Sequence, residues 1–119
     1  MTIHSFQKIT LLSANPAALA TFWSKTFDTA SRPAGTDLYS VEGPDGINGF
    51  LIQKATPAPT GTPRARFDLN VIGRGAEVTR LVALGAKNLG EKTDGGTPYT
   101  LLTDPDGNQI GLFDQPQSL

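Results

Sequence analysis

Asp104-Pro105-Asp106-Gly107-Asn108-Gln109-Ile110-Gly111-Leu112-Phe113 joins a sharp turn to an alternating strand. Proline suits the second position of a β-turn, aspartate tolerates the bend, and Gly107 supplies a positive φ without steric cost. Beyond the turn, Ile110 and Leu112 point to one side and Gln109, Gly111 and Phe113 to the other, the period of a strand with one buried face. Alone this is a common hairpin turn. Its weight comes from an echo, Pro44-Asp45-Gly46, in the first half of the chain.

The echo is part of a longer internal repeat. Setting Ile9 on Phe67 places Leu11 on Leu69, Ala20 on Val78 and Trp23 on Leu81, a constant offset of 58. Matching the two turns, and Leu51 with Leu112, requires an offset of 61. Each half opens with an alternating stretch, Phe6 to Leu12 and Arg64 to Ile72, that predicts a strand. A helix follows in each. Asn15-Pro16 marks the first as an N-cap with proline at the first helical position, ahead of an apolar stripe of Ala20, Trp23 and Phe27. The second runs from Gly73 to Leu84 and is closed by Gly85.

Short strands are expected at Thr29 to Arg32, Leu38 to Val41 and Ile47 to Lys54, with Pro33-Ala34-Gly35 and Gly43-Pro44-Asp45-Gly46 as separators. The second half offers Asn88 to Lys92, Tyr99 to Thr103 and Asn108 to Phe113. Between them, residues 55–63 are rich in Pro, Thr, Ala and Gly and are expected to be a linker. The pattern is an α+β chain of two βαβββ modules, at about 6–54 and 64–114, in a single domain over 1–119. One such sheet has a face to bury, so the modules are expected to pack with each other or with a second chain.

Composition narrows the partners. The chain has 119 residues, ten Lys and Arg against eleven Asp and Glu, and a formal net charge of -1. That balance, without a run of like charges, gives no footprint for nucleic acid or an anionic membrane. No cysteine is present, which removes thiol chemistry, disulfides and Cys-ligated zinc. MTIHSFQK shows no targeting pattern and no apolar stretch approaches a membrane span, so a cytoplasmic protein is expected.

The helix end Leu81-Val82-Ala83-Leu84-Gly85-Ala86, the segment Tyr99-Thr100-Leu101-Leu102-Thr103 and the Asp-Pro-Asp-Gly-Asn turn together resemble the second half of the vicinal oxygen chelate superfamily, the glyoxalase/bleomycin-resistance/extradiol-dioxygenase group. Phe22-Trp23 matches that group's aromatic pair in the first half. The resemblance implies modules that curl a mixed sheet around a concave cavity, usually in a homodimer. It also implies four ligand positions in the metal-using members, which fall here on Lys8, about Phe50, Arg66 and Gly111. None of these is an ordinary divalent-metal donor, since Lys and Arg bring positive charge and Phe and Gly bring no donor atom. No metal or other cofactor is therefore expected.

His4, the single histidine, precedes the first strand and reads as a surface residue; it leaves no base for a Ser/His/Asp arrangement. Glu42, Asp45, Glu77, Glu91, Asp94 and Asp104 read as solvated charges, and Gly90, Gly95 and Gly96 do not form a phosphate loop. Alternation puts Lys8, Thr10, Arg66, Asp68, Asn70, Gln109, Gly111 and Phe113 on the face away from the helices. Such a face either meets solvent or, as the resemblance implies, lines a ligand cavity, with Tyr39, Phe50, Tyr99 and Phe113 as its aromatic walls.

Three classes of function fit. The first is metal-independent binding of an amphipathic or aromatic small molecule, as in the drug-sequestering members, with Lys8 and Arg66 receiving an anionic group and Asp68 orienting or neutralising Arg66. The second is a glyoxalase-like lyase or isomerase, or another cofactor-free enzyme, with Lys8 or Asp68 as base. The third is a protein-interaction module whose concave face a partner chain covers.

Overall fold

Each half of the repeat builds its own four-stranded mixed sheet with one helix. The computed structural model describes residues 2–3, 5, 8–44, 49–60 and 64–115. It divides into two units, Met1–Pro59 and Thr60–Leu119, so the break falls within the Pro/Thr-rich stretch. His4 and Asp45 to Asn48 lie outside the described residues, as do 61–63.

In the first unit β1 (Ile9–Ser13) leads into α1 (Pro16–Phe27), followed by β2 (Ser31–Gly35), β3 (Leu38–Val41) and β4 (Phe50–Lys54). The strand order is β1-β4-β3-β2, with β1 and β4 parallel and the other pairs antiparallel. Asn15 caps α1 through its side-chain oxygen, which accepts the Ala18 N–H at 3.3 Å, and Pro16 stands at the first helical position. Asp28 ends the helix in the left-handed region, its N–H donating to the Lys25 carbonyl at 3.3 Å. Trp23 is fully buried and its ring centroid lies 5.2 Å from both Phe27 and Phe50, forming an aromatic core under the helix.

The second unit repeats the plan: β5 (Arg66–Val71), α2 (Arg74–Leu84), β6 (Lys87–Asp94), β7 (Thr97–Thr103) and β8 (Gln109–Asp114), in the order β5-β8-β7-β6. β5 and β8 are parallel. Gly85, at φ 119°, turns the chain out of α2, with its N–H on the Val82 carbonyl and that of Ala86 on Leu81. Gly95 and Gly96, both at positive φ, make the two-residue turn between β6 and β7, where glycine meets no Cβ penalty.

The turn at Asp104 is built from within. Its carboxylate accepts the backbone N–H groups of Asp106 and Asn108, each at 2.9 Å, and the Asn108 side-chain amide at 2.8 Å. Asp104 is 2% exposed, so it is a buried structural carboxylate and not the solvated charge its position in a turn suggested. These donors replace water that it loses.

Several expectations change. Pro33-Ala34-Gly35 lies inside β2 and does not separate strands; the reversal comes at Asp37, which adopts φ 52°. Proline is tolerated there because β2 is an edge strand. β6 extends beyond the expected limits in both directions, to Lys87 and Asp94. The repeat offset in the last strand is 60, since Phe50 and Ile52 are buried as Ile110 and Leu112 are, and Leu51 therefore matches Gly111. Ile9, which alternation sets on the side opposite Lys8 and Thr10, is 43% exposed although it pairs with the buried Phe50.

Candidate functional site

The helix-free face of the second sheet gathers most of the residues singled out in the sequence. Residues paired across neighbouring strands share a face. β5 and β8 pair Arg66 with Gln109, Asp68 with Gly111 and Asn70 with Phe113, and β7 adds Leu101 opposite Gly111. The opposite face is fixed by Arg74 at the start of α2, whose Nη1 donates to Thr100 Oγ1 at 3.1 Å. Thr100, Leu102, Ile110 and Leu112 are buried on that side.

Tyr99 and Phe113 stack with centroids 4.6 Å apart and 15° between their planes. The Arg66 guanidinium carbon lies 4.9 Å from the Tyr99 ring centroid, within cation–π range. Asp68, two residues along the same strand and so on the same face, accepts from Arg66 Nε at 2.9 Å. The bond to Asp68, then that to Tyr99, holds Arg66 further above its ordinary pKa, so the guanidinium stays cationic. Both charged side chains remain accessible, Arg66 at 36% and Asp68 at 57%.

Gly111 makes this arrangement possible. A β-carbon there would stand 2.4 Å from Asp68 Oδ1, 3.1 Å from the Phe113 ring and 3.2 Å from Arg66 Nη2. The missing side chain is the space into which the ion pair folds. Lys92, which the sequence reading passed over, pairs with Tyr99 across β6 and β7 and adds an exposed cation to the same face. Counting outward from the Gly95-Gly96 turn would have found it, because a two-residue turn sets Asp94 opposite Thr97 and Lys92 opposite Tyr99.

The first unit contributes differently from what was expected. Phe50 does not line the helix-free face; it packs on Trp23 and Phe27 beneath α1. Tyr39 pairs with Ile52 and therefore shares the helix side too. A slip of one residue in the offset reverses every side chain of a strand, which accounts for the Phe50 error. Lys8 and Thr10 are exposed, with Thr10 beside Leu51 on the helix-free face. Register puts Leu51 at the position assigned to Phe50 in the proposed metal set, and leucine is no better a donor. Among the described residues no three of His, Cys, Asp and Glu are grouped as a metal ion would require. The residues at these positions do not fit a divalent cation.

A cleft of 250 Å³ opens on the other side of the second sheet, lined by Gly75, Val78, Asn88, Gly90, Glu91 and Thr100. Its one carboxylate is engaged: Glu91 Oε1 accepts from Arg74 at 2.7 Å and Oε2 from the Thr100 hydroxyl. Arg74 also donates to Asp114 at 3.1 Å, so the group ties α2 to three strands. The cleft therefore holds a structural network, while the accessible Arg66 and Asp68 and the half-buried Phe113 lie on the opposite face.

A family model described as a glyoxalase-like domain matches residues 8–113. No curated protein sequence matches the chain. Among solved structures, a fosfomycin resistance protein from Listeria monocytogenes, complexed with Mn(II) and sulfate, aligns at TM-score 0.77 and 14% identity, covering 97% of this chain and 93% of its own. A glyoxalase-related enzyme from Fulvimarina pelagi aligns at 0.68 and 19%, covering 96% and 90%. A glyoxalase/bleomycin resistance protein from Albidiferax ferrireducens aligns at 0.68 and 18%, covering 93% and 98%. At these identities the likeness is one of fold.

Proposed function

This chain belongs to the glyoxalase-like domain family, and we propose that it binds a flat aromatic or amphipathic small molecule on the helix-free face of its second sheet without a metal ion. The observation that carries this reading is the cluster of Arg66, Tyr99 and Phe113. The half-buried Phe113 ring, backed by the buried Tyr99 it stacks on and beside an accessible guanidinium, offers a ring surface and an anion partner within one side-chain length. Metal-free binding is supported by the donor set: Lys8, Leu51, Arg66 and Gly111 occupy the positions where the superfamily resemblance puts metal ligands. Mn(II) in the Listeria protein is a property of that protein.

A thermal-shift screen of aromatic and amphipathic compounds tests the reading, because a ligand of the folded state raises the melting temperature by mass action. Compounds that stabilise the parent should lose most of their effect on Arg66→Ala or Phe113→Ala. Equal stabilisation of both variants would remove the site. Metal analysis of the purified protein is the companion measurement. A stoichiometric divalent ion would favour the enzyme reading, a glyoxalase-like lyase or isomerase. The proposal extends to a homodimer, and a sedimentation profile of monomer alone at micromolar concentration would contradict that part.

A further inference from the structure

We infer that the space over Gly111 is a carboxylate niche, that Asp68 fills it as a tethered stand-in, and that an aromatic carboxylate enters by displacing Asp68 from Arg66. This rests on the ligand face proposed above and adds the chemical class of the ligand and the residue that competes with it. The niche is defined by what a β-carbon at residue 111 would touch: Asp68 Oδ1 at 2.4 Å, the Phe113 ring at 3.1 Å and Arg66 Nη2 at 3.2 Å. A carboxylate oxygen thus already rests on the sheet floor, between a guanidinium nitrogen and an aromatic edge. The oxygen happens to belong to the protein.

Asp68 holds that place weakly. Its bond is the single contact to Arg66 Nε, and more than half of its side chain faces solvent, the setting in which an ion pair contributes little. A guanidinium can grip a carboxylate by two parallel bonds, so an incoming carboxylate that takes both outcompetes it. The part-exposed Phe113 ring, stacked on the buried Tyr99, lies beside the niche, and the aromatic part of the same molecule would rest on it. Tethering gives the site a selectivity as well. Asp68 sits two residues from Arg66 on one strand and is always at hand, so a small anion without a ring gains too little to displace it.

The test compares 2-naphthoate with 2-naphthylmethanol, which keeps the ring and lacks the charge, on the parent protein, Asp68→Asn and Gly111→Ala. Asp68→Asn preserves size and removes the competing charge. It should tighten 2-naphthoate about two- to fivefold and leave 2-naphthylmethanol nearly unchanged. Gly111→Ala fills the niche and should abolish the preference for the carboxylate. Asp68→Ala provides a second removal of the charge, and the Arg66 Nε–H resonance should move on adding 2-naphthoate to the parent as it moves on losing Asp68. Weaker 2-naphthoate binding in both Asp68 variants, or an equal change for both ligands, would overturn the inference and make Asp68 a support for Arg66. Binding of the alcohol with no preference for the carboxylate in any variant would overturn it too, while the ligand face stands. Binding of neither compound to any variant would overturn the face and the niche together.

Discussion

Two glycines separate backbone necessity from site chemistry. A β-carbon at Gly49 would lie 1.7 Å from the Val41 carbonyl oxygen and 2.8 Å from the Gly43 nitrogen, both backbone atoms that cannot yield without moving strands. At Gly111 the close atom is the far end of Asp68, an exposed side chain that rotates away at little cost. Gly49→Ala is therefore expected to destabilise the fold by more than about 3 kcal/mol, and Gly111→Ala to stay within about 1 kcal/mol of the parent. Denaturant unfolding of both variants checks the contrast; similar losses would mean that Gly111 serves packing. The sequence offered glycine at both places but no measure of what each approaches. Asp104 shows the same limit: its carboxylate is consumed by the turn it stabilises, a use invisible until Asp106 and Asn108 donate to it.

The two helices occupy equivalent places in the repeat but are held differently. α1 is sealed by an Asn15 cap and buries Leu19, Phe22 and Trp23, whereas α2 begins at Gly73 without a side-chain cap and buries Leu81 alone. The apolar spacing of Val78, Leu81 and Val82 was legible, yet it overstated the packing, since Val82 is 45% exposed. Arg74 supplies part of the missing anchorage through Glu91, Thr100 and Asp114 on three strands, with its own side chain 17% exposed. Its acidic partners are more than half exposed, which limits the gain. Arg74→Ala is expected to cost about 1–2 kcal/mol, with a loss that shrinks in high salt. Arg80→Ala, which breaks a pair with Glu77 within one helix, should cost less than Arg74→Ala. Equal effects in thermal or denaturant unfolding would show that the clamp across strands adds nothing.

At the scale of the whole chain, the repeat was the legible part. Period-two strands and a helical stripe recur in both halves because each module must bury one sheet face under one helix. Register was legible only where a turn fixed it. Across Gly49 nothing did, so Phe50 was assigned to the wrong face; across Gly95-Gly96 the turn did fix it, and Lys92 follows by counting. The pairing of Arg66 with Asp68 over Gly111 depends on distances between two strands, β5 and β8, which alternation alone does not contain. The proposed ligand face rests on the cationic and aromatic groups that the second sheet gathers around Gly111. Titrating the ¹⁵N-labelled protein with 2-naphthoate and following its amide and arginine side-chain resonances tests that claim most directly. Saturable shifts should map to Arg66 to Asn70, Tyr99 to Thr103 and Gln109 to Phe113, including the Arg66 Nε–H. No saturable shift there, or shifts confined to the cleft between α2 and β6, would contradict it.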